Sequence, residues 1–198
     1  MIRPLKISSR SGFKFQEPEL ERELETCNEM NLRIDWMEKY MADAERLICE
    51  NQVEEGLKLL NRLLYEEPGY GSLHNHLGWA YMYYTADMAK AELHFKMAMN
   101  FDMVFAPPYL HLGVLYMRNG KYNNALAILE AGLTKLNANR VVLLDNIGQV
   151  YELKGEYSNA IKAYKQAAQA SIVGFEVNNL MESIKRCRKK RVAFFFTF

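Results

Sequence analysis

Four histidines and three cysteines are the residues of this 198-residue chain with the most versatile chemistry. Cys27, Cys49 and Cys187 are widely separated and odd in number, form no CxxC pair and have no histidine at metal-ligand spacing beside them. They read as reduced thiols, which places the chain in the cytoplasm. His74 and His76 are two apart on a helical stretch and so point to different faces, and His94 falls on the next helix. Convergence of the three is not expected. No Gly-rich phosphate loop, G-x-S-x-G elbow or H-E-x-x-H run is present. The expectation is therefore no metal, no cofactor and no enzymatic activity.

The elements that position these side chains follow from bulk properties and periodicity. With 49% hydrophobic and 25% charged residues, the chain can bury a core as one domain or as a short repeat array. Twenty-five basic residues against 24 acidic ones leave a net charge of +1, so no global field draws in nucleic acid. The N-terminus lacks the apolar stretch of about 7–15 residues that marks a secretory signal. No segment reaches the roughly 18 apolar residues needed to span a bilayer.

Internal similarity organises most of the sequence. Leu112-Gly113, Tyr116, Ala125, Leu129 and Gly132 recur 35 positions later as Ile147-Gly148, Tyr151, Ala160, Tyr164 and Ala167. Leu77-Gly78, Tyr81, Ala91, Phe95 and Ala98 fit the same frame if one extra residue sits in the turn near Thr85. A fourth, weaker copy carries Tyr40, Ala44, Leu47, Gly56, Leu60, Leu63 and Pro68, with alanine and glycine exchanged. The period of 34 or 35 residues holds two helices and two turns. Gly120 and Gly155 stand at helix C-caps in the turns "NGKYNNA" and "KGEYSNA".

The small residues let two antiparallel helices approach closely, because a large side chain there would force them apart. Tyr81, Phe95, Tyr116, Leu129, Tyr151 and Tyr164 are then expected to fill the space between successive hairpins. Val53, Leu57, Leu60 and Leu64 share one helix face, as do Ala125, Ile128, Leu129 and Leu133. Asp35 with Glu38, and Asn51 with Glu54, have the spacing of capping-box helix starts.

This template resembles the tetratricopeptide repeats over about residues 37–172. The resemblance implies an all-α, helical-hairpin solenoid of about four repeats (37–70, 71–105, 106–140, 141–172). The family's helix-A tryptophan is replaced by Tyr40, His74, Tyr109 and Leu144, and its closing proline survives only as Pro68. Transferring the family's concave-groove positions gives Asn75, His76, Trp79, Met82 and Tyr83, then Leu110, His111, Val114, Met117 and Arg118, then Asp145, Asn146 and Gln149. His76 and His111 hold the same position in successive repeats, and groove lining is favoured over a metal pair because no third ligand accompanies them. Asn75 and Asn146 each carry a donor and an acceptor for an extended peptide backbone, while Trp79 and Met82 have packing against a flank as their alternative. A clamp for acidic chaperone C-termini is disfavoured, since the first repeat supplies Met41 and Glu45 where that clamp needs positive charge.

Flanking segments complete the plan. Residues 1–16 read as extended, and 17–36 as an acidic helix with Leu20, Leu24 and Cys27 on one side. Residues 173–191 form a capping helix through Val177, Leu180, Met181, Ile184 and Cys187, ending in the basic run "KRCRKKR". An apolar tail, "VAFFFTF" (192–198), follows; it is an aggregation hazard unless covered, with docking on the array or on a second copy favoured over insertion at a membrane. The resemblance thus implies a non-enzymatic adaptor or chaperone holding a segment of another protein, with a weaker architectural likeness to type III secretion chaperones. A membrane-peripheral scaffold recruited by the basic and aromatic C-terminus is the alternative.

Overall fold

The computed structural model describes residues 17–195, all of whose regular elements are helical: α1 (Glu17–Cys49), α2 (Val53–Glu66), α3 (Gly71–Ala80), a π-helical turn (Tyr81–Thr85), α4 (Met88–Phe101), α5 (Pro107–Arg118), α6 (Tyr122–Gly132), α7 (Arg140–Leu153), α8 (Tyr157–Ala170) and α9 (Gly174–Phe195). The expectations for 1–16, for the side chains of Leu20, Leu24 and Cys27, and for the end of the apolar tail lie outside the described residues. The chain divides into two compact units, residues 1–40 and 41–198. In the first, α1 carries Trp36 and Tyr40 one turn apart with ring centroids 5.0 Å from each other. The second holds the repeats.

The acidic helix expected to stop at residue 36 does not stop there, because α1 runs unbroken to Cys49. Asp35 is therefore interior to a helix rather than its cap. Asn51 starts no helix either: it adopts φ 67° and closes α1. The Gln52 amide donates to the Leu47 carbonyl (2.8 Å) and that of Asn51 to Ile48 (3.1 Å), the paired bonds of a Schellman motif. Asparagine tolerates this left-handed conformation better than most residues. Gly120 and Gly155, at φ 71° and 76°, close α5 and α7 in the same way.

The extra residue near Thr85 is absorbed by the π-helical turn. There the Asp87 amide reaches the Tyr81 carbonyl (3.0 Å), one residue further back than in the other hairpin turns. Ala86 then takes the left-handed position at φ 56°. Asp87 starts α4 by accepting from the Lys90 amide at 3.1 Å.

Each hairpin closes through a small residue. A Cβ added at Gly78, Gly113 or Gly148 would lie 2.5 Å from Phe95, Leu129 or Tyr164 respectively, and one at Gly56 would lie 2.5 Å from Ile48 and 2.7 Å from the Ala44 carbonyl. The exchanged alanine and glycine of the first repeat thus make the same close approach with the partners reversed. Phe95, Leu129 and Tyr164, expected between hairpins, first fill the notch of their own hairpin's glycine. Phe95 also reaches onward to stack on His111 of the next hairpin (5.5 Å), and the Tyr116 hydroxyl donates back to Glu92 on α4 at 2.9 Å.

One buried cluster joins Met82, Phe95, Leu112, Leu115, Leu129, Leu143 and Val150, and a second joins Leu144, Ile161, Tyr164, Leu180, Ile184 and Cys187 under α9. α9 closes the last hairpin and is fastened by charge as well as apolar contact. Arg186 donates twice to the Glu152 carboxylate (2.8 Å each), Lys190 adds a third bond at 2.8 Å, and the Tyr164 hydroxyl a fourth at 3.1 Å. Two cations of the basic run are therefore committed to docking. The helix continues through Val192 and Ala193 to Phe195, so the expected boundary between cap and tail at 191 falls inside it. Among the described residues no helix is long and apolar enough to cross a membrane.

Candidate groove on the helix A face

Within residues 41–198, the first helices of successive hairpins lie side by side, and equivalent positions form rows across them. One row runs Glu45, Trp79, Val114, Gln149; its neighbour runs His76, His111, Asn146. Trp79, Leu110, His111, Val114 and Met117 are half-buried, and Tyr83 and Arg118 are exposed at the rim. The Arg118 guanidinium lies over the Tyr83 ring, 4.8 Å from its centroid. Leu110, Val114 and Met117 rest on the core with their outer sides open.

Two groove expectations fail. Met82 is 2% exposed and belongs to the core, because the π-turn rotates it inward and turns Tyr83 and Tyr84 out. Asn75 is only 7% exposed and its Oδ1 has no hydrogen-bond partner. Neither side chain is displayed to a ligand. Asn146 remains half-buried, but its Nδ2 donates to the Val142 carbonyl at 2.8 Å, so that donor is spent within its own helix.

Asp145 and Gln149 are joined by a 3.0 Å hydrogen bond and line a cleft of about 230 Å³ against α9, with Leu180 and Arg186 opposite. Burial raises the Asp145 carboxyl above the usual range, opposed by the Gln149 amide and the Arg186 charge. These fourth-repeat residues therefore face the capping helix as well as the row.

The histidines behave differently from expectation. His74 and His94 do converge, with Nδ1 atoms 2.9 Å apart. The reason is that His74 stands at the helix-A position that faces its own helix B. His74 Nε2 must donate to the Pro68 carbonyl (2.9 Å), which leaves its Nδ1 as acceptor and makes His94 Nδ1 the donor. Phe101 stacks on His74 and Tyr81 on His94. Burial, then the nearby His74 and Lys90, lowers His94 to about 4. His111 is likewise lowered to about 4, by burial first and His76 second, so its ring is neutral at pH 7. Among the described residues no group of three or more His, Cys, Asp or Glu side chains could hold a metal ion.

Cys49 and Tyr84 escape the sequence reading of the helix-A face, and Glu45, which entered it only as an argument against a clamp, joins them on the surface. Glu45, Cys49 and Tyr84 extend the rows into the first repeat: Cys49 Sγ lies 3.6 Å from the Tyr84 hydroxyl, and Tyr84 meets Trp79 edge-on at 5.0 Å. Their signal was the alanine–glycine exchange, which fixes the first repeat's register through Ala44. On the opposite side a cavity of about 970 Å³, lined by Leu57, Arg62, Tyr65, Tyr81 and Lys90, separates α2 from the start of α4.

Stacked helical hairpins with small-residue notches, a capping helix and a lined helix-A face define a repeat scaffold. A tetratricopeptide-repeat family model matches residues 106–134 and 142–171, so the hairpins α5–α6 and α7–α8 are tetratricopeptide repeats. No curated protein matches at the level of sequence. Among solved structures, PilF of Pseudomonas aeruginosa is similar at 16% identity and a TM-score of 0.67, over 80% of this chain and 74% of that one. A tetratricopeptide-repeat protein of Thermus thermophilus is similar at 16% identity and a TM-score of 0.62, over 84% and 96%. Human IFIT1, solved as a dimer with PPP-AAAA, is similar at 20% identity and a TM-score of 0.69, over 78% of this chain and 39% of that one. At such identities the likeness is one of fold.

Proposed function

We propose that the protein is a non-enzymatic adaptor or chaperone that holds a segment of another protein against its helix-A face. The observation that carries this reading is the patch of incompletely buried Trp79, Leu110, Val114 and Met117, which leaves adaptable apolar surface open beside the Tyr83 and Arg118 rim. A fold made of stacked hairpins gives such a surface at low cost, because rigid helices fix its side chains before the partner arrives. Affinity purification from the native cell with the wild-type chain and a Val114→Arg variant tests it. The expected result is a discrete set of proteins retained by the first and lost by the second at an unchanged melting midpoint. Equal retention by both would count against the groove.

A further inference from the structure

The first-repeat end of the helix-A face brings together one carboxylate and two aromatic rings. Glu45 and Cys49 are one turn apart on α1 and so share a face. Cys49 holds the Tyr84 hydroxyl at 3.6 Å, and Tyr84 is edge-on to Trp79 at 5.0 Å. His76, one turn before Trp79 on α3, brings its Nε2 within 3.9 Å of Glu45 Oε2. His76 Nδ1 donates to the Ser72 carbonyl at 2.9 Å, and its Nε2, 3.9 Å from Glu45, lies beyond hydrogen-bond reach. It satisfies no acceptor on the carboxylate.

The corner is open. The Glu45 side chain is 51% exposed and Tyr84 39% exposed. The π-helical insertion creates this arrangement, since the added residue leaves Tyr83 and Tyr84 both on the surface. The adjacent Tyr83 ring already carries the chain's own Arg118 guanidinium at 4.8 Å, so a cation is sterically and electrostatically at home on this face.

We infer that this corner is a subsite for a lysine or arginine side chain of the bound segment, with Glu45 as counter-charge and Trp79 and Tyr84 as the walls along its alkyl stem and cationic head. The chemistry is complementary: a carboxylate beside the exposed Tyr84 and half-buried Trp79 rings attracts a cation and repels an acid. With His111 neutral and the middle of the row apolar, the preferred segment is apolar with a basic residue at one end. The inference rests on the groove reading above and gives it a chemical class of partner.

Panning a displayed library of random twelve-residue peptides against the full chain tests it, with Glu45→Lys, Glu45→Gln and Val114→Arg as parallel targets. The wild type is expected to select apolar peptides enriched about tenfold in lysine or arginine at one position. Glu45→Gln should weaken that preference and Glu45→Lys abolish it while apolar peptides are still selected. Wild-type selection without a basic preference, or a preference surviving Glu45→Lys, overturns the subsite and leaves the groove standing. Selection that is absent, or undiminished by Val114→Arg, removes the groove and the subsite with it.

Discussion

At the scale of single residues, the hairpin notch distinguishes two glycines that look identical in sequence. At Gly113 the nearest obstruction to a methyl group is the flexible end of Leu129, while at Gly148 it is the ring of Tyr164, fully buried and tied through its hydroxyl to Glu152. A leucine can change rotamer; a pinned ring cannot. Gly148→Ala is therefore expected to cost about 2–3 kcal/mol by overpacking, whereas Gly113→Ala should cost about 1 kcal/mol or less, being offset by helix propensity. Thermal denaturation checks the order, with about 2–4 °C per kcal/mol for a chain of this size. Equal midpoints would mean that the Tyr164 ring is free to move. Ala86 offers the opposite case, since φ 56° is strained for alanine. Ala86→Gly should raise stability by about 0.5–1 kcal/mol, read as a higher midpoint in the same assay.

Among the elements, α9 is the one held by charge. Its fastening point, Glu152, is 9% exposed at its side chain and lowered to about 2, chiefly by the Arg186 guanidinium, then by Lys190 and Tyr164. Because its folded value lies below the unfolded value near 4.5, the stabilisation is fully present above that value and is lost as pH falls from about 4.5 toward 2. Glu152→Gln is expected to cost about 1–3 kcal/mol at pH 7 and to flatten the acid limb of the stability profile. A variant that keeps the wild-type profile between pH 5 and 2 would contradict the clamp. Glu152 also shows where the sequence was silent. The basic run was visible, but its counter-charge lies 34 residues away from Arg186 and only packing of α9 on the last hairpin unites them. By contrast the hairpins themselves were legible because glycine, alanine and aromatic residues recur at fixed offsets that a helix pair demands. The capping-box spacings at Asp35 and Asn51 misled because local spacing carries no information about whether the preceding helix has ended. The helix-A positions were legible by row but not by depth. Met82 fell into the core because one inserted residue rotates everything after it in its helix.

For the molecule as a whole, acid sensitivity is expected to begin above the carboxylate range. His94 and His111, both lowered to about 4 by burial, stay neutral in the fold while the unfolded chain takes up protons below about 6.5. Stability should therefore decline as pH falls from about 6.5 to 4, and further as Glu152 titrates. His94→Gln should shift the upper part of that decline, followed by the melting midpoint against pH. Binding on the helix-A face requires the partner to contact one face of the array and not the other. A photoactivatable phenylalanine analogue placed at Val114 on the helix-A face, or at the outward Lys162 on α8, measures this directly when each protein is irradiated in its native cell. A discrete crosslinked adduct is expected from position 114, lost when Trp79 is replaced by alanine, and none from position 162. Adducts from position 162 alone, or equally from both positions, would contradict binding on the helix-A face.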